Sequence, residues 1–271
     1  MTANKKRAFQ NILVMGKSGA GKQPRIDVLV KEFGLKQLST GDMFRNYLGM
    51  LAKSGFAGSS DEFWDGWAGR MMPDSAIRER LAPYARSTEE LDGLVLGAKA
   101  RYYVDSGLFG PDELVNDMVD DAFKRLGHKG AVLDGYPRTL DQAMHLLEVV
   151  GRARTRLDLI VLVDNDDEAI VRRTIGRRIC PKCKKVFHLE HKPPRDGRFC
   201  TECGTEVVLR SDDTEEKIRR RLQEFHDKVL PTLEHLKGLG IPVAVVPGNL
   251  PVFTEEAVRR SVLDAIEAAG L

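Results

Sequence analysis

The segment Gly16-Lys17-Ser18-Gly19-Ala20-Gly21-Lys22 constrains this chain more than any other. It follows the apolar run Ile12-Leu13-Val14-Met15 and precedes a stretch in which Ile26, Leu29, Val30 and Phe33 share one helical face. The first run reads as a buried parallel strand and the second as a helix of about residues 24–33. A G-x-x-x-x-G-K turn between strand and helix lets backbone N–H groups curl around phosphate oxygens, while the helix N-terminus adds positive potential. Such a loop implies an α/β protein that binds phosphates, with Lys22 neutralising the outer two of a triphosphate. The fit stops there. The general motif continues with Ser or Thr, and this chain has Gln23-Pro24. Proline is tolerated in a first helical turn, but it removes an N–H, and no hydroxyl replaces it. A hydrogen bond to a charged group contributes about 1.5–3 kcal/mol, so binding is weakened rather than abolished. Either Gln23 or Arg25 would supply the replacement.

The rest of the chain alternates strands and helices. Further strands are expected near 35–38 and at Ala131-Val132-Leu133, 159–163 and 243–246. Helices are expected from Pro111-Asp112, over 139–151, from about 166, and over 255–269. Asp213 with Glu216 resembles a capping box, opening a long helix to about 237. Phe63, Trp64, Trp67 and Met71 have helical spacing, which reads as local core or a contact face. This alternation argues for a parallel sheet covered on both faces. The formal net charge of the 271 residues is +2, so the chain as a whole is not a nucleic-acid binder by electrostatics. No segment approaches the ~18 apolar residues of a membrane span. The N-terminal apolar run is too short for a signal segment, and the expectation is a cytoplasmic protein.

All four cysteines lie between 180 and 203, as Cys180-x-x-Cys183 and Cys200-x-x-Cys203 with sixteen residues between the pairs. That spacing suits a tetrahedral Cys₄ zinc site, with iron left open by the ligands alone. Lys182, Lys184, Lys185, Lys192, Arg195 and Arg198 give a nucleic-acid-binding zinc ribbon some plausibility as a rival.

Three more segments add a family resemblance. They are Ser39-Thr40-Gly41-Asp42-Met43-Phe44-Arg45, then Asp134-Gly135-Tyr136-Pro137-Arg138-Thr139 with Gln142 downstream, then Gly176-Arg177-Arg178 joined later by Arg210-Ser211-Asp212-Asp213. With the glycine loop and the cysteines, and in this order, they resemble the adenylate kinases, especially bacterial forms with zinc in the lid. The match covers most of the chain outside about 50–95. The resemblance implies the P-loop nucleoside monophosphate kinase fold, an α/β five-stranded parallel sheet flanked by helices. Core segments would be 1–38, 111–176 and 212–271, the acceptor-binding domain 39–110, and the zinc lid 177–211.

The same resemblance implies reversible phosphoryl transfer from ATP to AMP, giving two ADP, with Mg²⁺ accompanying ATP. Gly16, Lys17, Ser18, Gly19, Ala20, Gly21, Lys22 and Gln23 would form the ATP loop. Arg173 would lie against the ATP base. Lys22, Arg177, Arg210 and Arg221 would hold the transferring phosphates. Thr40, Arg45, Arg138 and Gln142 would form the AMP site. There Arg45 and Arg138 would grip the phosphate, Arg138 also serving catalysis, and Gln142 would read the adenine. Asp134 would hold magnesium through water, and Cys180, Cys183, Cys200 and Cys203 a structural zinc. Converging arginines suit a reaction that needs neutralised oxygens and in-line positioning rather than a protein nucleophile.

Two departures qualify the resemblance. Residues 50–95 look like an insertion into the acceptor-binding domain, and family members carry a Gly and a hydroxyl residue where this chain has Gln23-Pro24. The insertion keeps GMP, CMP or UMP open as acceptors. The altered loop keeps open a non-catalytic nucleotide sensor on the same fold. The expected state is a monomer without nucleic-acid or membrane partners.

Overall fold

The computed structural model describes residues 8–105, 110–190, 192–209 and 213–271. Its strands and helices follow the alternation read from the sequence. Strand β1 (Asn11–Met15) leads through the glycine loop into α1 (Lys22–Phe33), β2 (Lys36–Ser39) and α2 (Thr40–Lys53). Strands β3 (Trp64–Asp65) and β4 (Arg70–Met71) precede helices α3 (Asp74–Leu81), α4 (Thr88–Asp105) and α5 (Asp112–Arg125). Then come β5 (Ala131–Asp134), α6 (Leu140–Arg152), β6 (Leu159–Asp164) and α7 (Asp167–Ile175). Strands β7 (Arg177–Ile179) and β8 (Val186–His188) pair as a small antiparallel ribbon. Helices α8 (Glu215–Glu224) and α9 (Leu230–Gly238), strand β9 (Val243–Pro247) and helix α10 (Glu255–Ala268) end the chain.

The central sheet has five strands in the order β2-β5-β1-β6-β9. Strand β2 runs parallel to β5 with Ser39 opposite Asp134, and β6 runs parallel to β9 with Asp164 opposite Pro247. All five residues of β1 are buried, as the unbroken apolar run requires. Its one polar residue, Asn11, is satisfied on both sides of the amide. The Nδ2 group donates to Thr155 Oγ1 and the Arg156 and His128 carbonyls, and Oδ1 accepts the Ala131 N–H. Side chains cap the following helices: Thr139 accepts the Gln142 N–H for α6, Asp166 the Ala169 N–H for α7, and Thr254 the Ala257 N–H for α10.

Two compact units partition the chain, one comprising residues up to Ile12 with Leu35–Leu157, the other Leu13–Gly34 with Asp158–Leu271. In the first, residues 50–95 possess a core of their own. Phe63, Ile77 and Leu81 are fully buried against Leu51, Leu94, Val95 and Ala98 of α2 and α4. The helical stripe expected over 63–71 is corrected here. A 3₁₀ turn, Ser60–Phe63, is followed by the β3–β4 hairpin. The Asp65 carboxylate accepts the N–H groups of Trp67 and Ala68, and Gly69 takes a left-handed φ of 64°, so the chain reverses. Phe63 enters the core, Trp64 stacks on Tyr102 at 4.3 Å, and Trp67 is 98% exposed on the turn.

The cap expected at Asp213 is also corrected. Thr214 caps α8 by accepting the Lys217 N–H, because the Asp213 carboxylate is buried on an arginine. The long helix after it is interrupted by a π turn, Phe225–Val229, before α9. Among the described residues no helix is long and apolar enough to cross a membrane.

Candidate active site

The glycine loop lies wholly in the second unit, and its glycines are there for space as well as torsion. Gly16 has φ 143°, and a Cβ on it would collide with the Val163 carbonyl oxygen at the end of β6. Gly21 has φ 98° and forms the N-cap of α1 without a side-chain cap. The Lys22 ammonium bends back over the loop, donating to the carbonyls of Gly16 at 3.1 Å and Lys17 at 3.0 Å. The Lys17 side chain is held by the segment after β6. Its ammonium is 2.6 Å from the Asp167 carboxylate and donates to the Asn165 carbonyl at 2.9 Å. Ser18 is exposed and Ala20 fully buried. Gln23 extends along α1 and donates from Nε2 to Asp27 at 2.9 Å.

Two of the arginines expected at the donor nucleotide, Arg173 at its base and Arg177 at its phosphates, are fixed in different ways. Arg173, on α7, lies beside the loop. Its Nη1 is 3.2 Å from where a Cβ on Gly21 would stand. Burial first, and then the neighbouring charge of Arg177, lowers its pKa. Arg177 opens β7 and grips Asp213 with two parallel bonds, Nε at 2.8 Å and Nη2 at 2.5 Å. Those contacts use two of the five guanidinium hydrogens, which leaves donors for an anion. Arg221 is half-buried in α8. Arg210 lies outside the described residues.

In the first unit the expected acceptor residues gather around Gly135, at the end of β5. Gly135 has φ 74°, and a Cβ there would stand 2.9 Å from both Thr40 Oγ1 and Arg138 Nη2. Arg138 Nε donates to the Gly135 carbonyl at 2.8 Å, and the Thr40 hydroxyl reaches the same oxygen at 3.4 Å. Arg45, one turn into α2, folds over Gly41 and pairs with Asp42. Gln142 is buried and held at both ends. Its Oε1 accepts the Arg138 N–H at 2.8 Å, and its Nε2 donates to Asp112 at 2.8 Å. Since a carboxylate only accepts, the amide has one orientation, with one hydrogen and one lone pair left for a ligand. Asp134, the last residue of β5, accepts from Gln37 Nε2 at 3.1 Å.

Asp112 and Asp213 are the supports that reading the sequence missed. Asp112 also accepts the Thr139 hydroxyl at 2.6 Å, tying the start of α5 to the cap of α6. Both bonds span some thirty residues, so no local pattern announces them.

The four cysteine sulfurs converge, all within 4.8 Å of one another, with Cys180–Cys203 at 3.4 Å and Cys183–Cys200 at 3.5 Å. Tetrahedral Zn–S bonds of about 2.3 Å require sulfurs about 3.8 Å apart, so this cluster fits a four-coordinate ion. Two like turns deliver the pairs. The Cys180 N–H donates to the Lys185 carbonyl, and the Cys200 N–H to the Thr205 carbonyl. Phe187 and Val207 pack with the buried cysteines.

Comparison with known proteins gives one family. The adenylate kinase family model matches residues 84–241, which leaves the altered glycine loop outside the match. An adenylate kinase of Symbiobacterium thermophilum is 32% identical over 96% of this chain and 99% of its own length. One from Pseudothermotoga lettingae is 32% identical over 86% and 89%, and one from Caldicellulosiruptor bescii 29% identical over 96% and 99%.

Proposed function

Since the chain belongs to the adenylate kinase family it is a nucleoside monophosphate kinase, and we propose that it transfers the γ-phosphoryl group of ATP to AMP, giving two ADP. The observation that supports AMP is the cluster at Gly135, with Thr40, Arg138 and a Gln142 of fixed orientation joined through it. A guanidinium fork and a hydroxyl suit a monophosphate. A fixed donor–acceptor amide matches the amine and ring nitrogen of adenine, and the reversed pattern of guanine does not fit the same register.

On this reading the protein contributes position and charge. Arg45 and Arg138 hold the acceptor phosphate. Lys22, Arg177, Arg210 and Arg221 neutralise the oxygens of the migrating group, and Arg173 lies against the donor base. The glycine loop, from Gly16 to Gln23, cradles the donor phosphates. Asp134 would hold magnesium through water, and the ion would add to the neutralisation of the donor phosphates. The cysteine cluster takes zinc as a structural ion, because four protein ligands leave no open position for catalysis. Residues 39–110 act as the acceptor domain and 177–211 as the lid, while residues 50–95 enlarge the former. A cytoplasmic, monomeric enzyme completes the proposal, and sedimentation of the purified chain tests its state.

A coupled ADP assay with ATP and each of AMP, GMP, CMP and UMP tests the central claim. The expected result is turnover with the highest kcat/KM for AMP. Arg138→Ala should lower that value by roughly 10- to 150-fold, the worth of one charge-assisted hydrogen bond. No turnover with any of the four, in protein that retains its metal, would sink the reading. Tight ATP binding in such protein would point to the sensor.

A further inference from the structure

Arg25 is a full-length cationic side chain with 0% exposure, four residues into α1. Helical side chains tilt toward the N-terminus, so this one reaches back beneath the glycine loop. Its Nη1 donates to the Gly21 carbonyl at 3.2 Å and its Nη2 to the Pro247 carbonyl at 2.6 Å. The guanidinium lies 5.6 Å from the Phe253 ring centre. Buried arginines are ordinarily paired with acids. Among the described residues no carboxylate pairs with this one, and its buried Nε has no hydrogen-bond partner. Another cation, Arg173, lies beside it. Arg25 Nη1 and Arg173 Nη1 stand 3.3 and 3.2 Å from the point a Cβ on Gly21 would occupy. Burial, then Arg173, lowers the Arg25 pKa.

Two adjacent guanidiniums without an acid oppose folding and favour an anion nearby. The loop above them is the one that lacks an N–H and a hydroxyl after its lysine. Gln23 bonds along the helix to Asp27, whereas Arg25 bonds to the loop itself. We propose that Arg25 is a positioning residue for the donor nucleotide, joining the last loop glycine to the segment after β9 and setting a buried positive charge that offsets the change to Gln23-Pro24. This rests on the glycine loop being the ATP site. Being fully buried, Arg25 acts through the Gly21 carbonyl and through its field, without touching the nucleotide.

The experiment compares Arg25→Gln and Arg25→Lys in the parent chain and in a Gln23→Gly/Pro24→Thr background, measuring KM for ATP and for AMP separately. In the parent, Arg25→Gln should raise the ATP constant about tenfold and leave the AMP constant within about twofold. Arg25→Lys, which keeps the charge but cannot span both carbonyls, should lie between. In the restored background the effect of Arg25→Gln should shrink to under about threefold. Equal rises in both constants, or the same rise in both backgrounds, would overturn the proposal. If Arg25→Gln does not fold, Arg25→Lys is read by the same criteria. A parent that does not turn over defeats the kinase reading instead. Calorimetric titration of the same variants with ATP then decides the role of Arg25, since an unshifted dissociation constant refutes it.

Discussion

Lys17 belongs to the glycine loop by position, yet its ammonium is committed to Asp167 at 2.6 Å, and Asp167 also meets His226 Nε2 at 3.1 Å. Burial alone would raise the Asp167 pKa, but the bonds from Lys17 and His226 outweigh it and hold the carboxyl below its ordinary range. A folded-state pKa below the unfolded value stabilises the fold above about pH 4, and the contribution is lost as pH falls through the lowered native value. Asp167→Asn should therefore destabilise the fold at pH 7 by on the order of 1 kcal/mol or less, given the partial exposure of the pair, and so lower the melting temperature. The gap should close below about pH 4. Melts at pH 7, 5 and 3.5 test this, and a gap of equal size throughout would mean that shape matters rather than charge. Residues of this kind mark the limit of what sequence reveals. Arg138 and Gln142 stand four residues apart in one short motif, and the N–H of the first meets Oε1 of the second. Arg177 with Asp213, and Gln142 with Asp112, join residues that only the tertiary fold brings together. Asp213, the expected cap, is drawn into the buried ion pair with Arg177, and Thr214 caps the helix in its place.

Elements were legible where one period dominated. The unbroken apolar runs became sheet strands, and the helix expected from Pro111-Asp112 formed as α5, burying Leu114, Met118, Val119 and Phe123. Residues 63–71 carried two signals, apolar spacing and a pair of glycines, and the glycines decided the hairpin. The cysteine turns show the same competition between side chain and backbone. Both carry a left-handed residue at the fifth position, Lys184 at φ 62° and Gly204 at φ 69°. Nothing but Arg195 Nη2, at 3.8 Å, approaches a Cβ built on Gly204, so the cost of a side chain there is one of backbone alone. Gly204→Ala should destabilise this turn by about 1 kcal/mol and weaken metal binding roughly fivefold, with Gly204→Asn milder because asparagine tolerates this conformation. Competition with a chromogenic zinc chelator measures the ratio. Equal affinity in all three proteins would remove the turn from the account of metal binding.

At the scale of the whole molecule, each of the two units carries a segment with a small core of its own, and the two cores differ in kind. Residues 50–95 bury phenylalanine, isoleucine and leucine side chains and so have an apolar core. The segment from Arg177 to Leu209 buries Cys180, Cys200, Phe187, Pro194 and Val207, and the two cysteines belong to the four whose sulfurs converge. Three apolar side chains contribute at most about 9 kcal/mol of burial, well short of the backbone entropy of some thirty residues. With zinc in the cluster, as proposed, the fold of this segment would depend on the ion, whereas the sheet would not. Chelation should release one zinc per chain and open amide exchange across 177–209 while leaving the strands β6 and β9 protected. Cys200→Ser should give the same pattern without chelator. ATP hydrolysis in the absence of AMP should rise relative to transfer, because an unfolded lid no longer keeps water from the phosphoryl group. Hydrogen-exchange mass spectrometry with elemental analysis tests the first two outcomes, and an assay of free phosphate tests the third. Exchange that stays slow over 177–209 in metal-free protein would show that the lid folds by packing alone, and the structural role of the ion would fall.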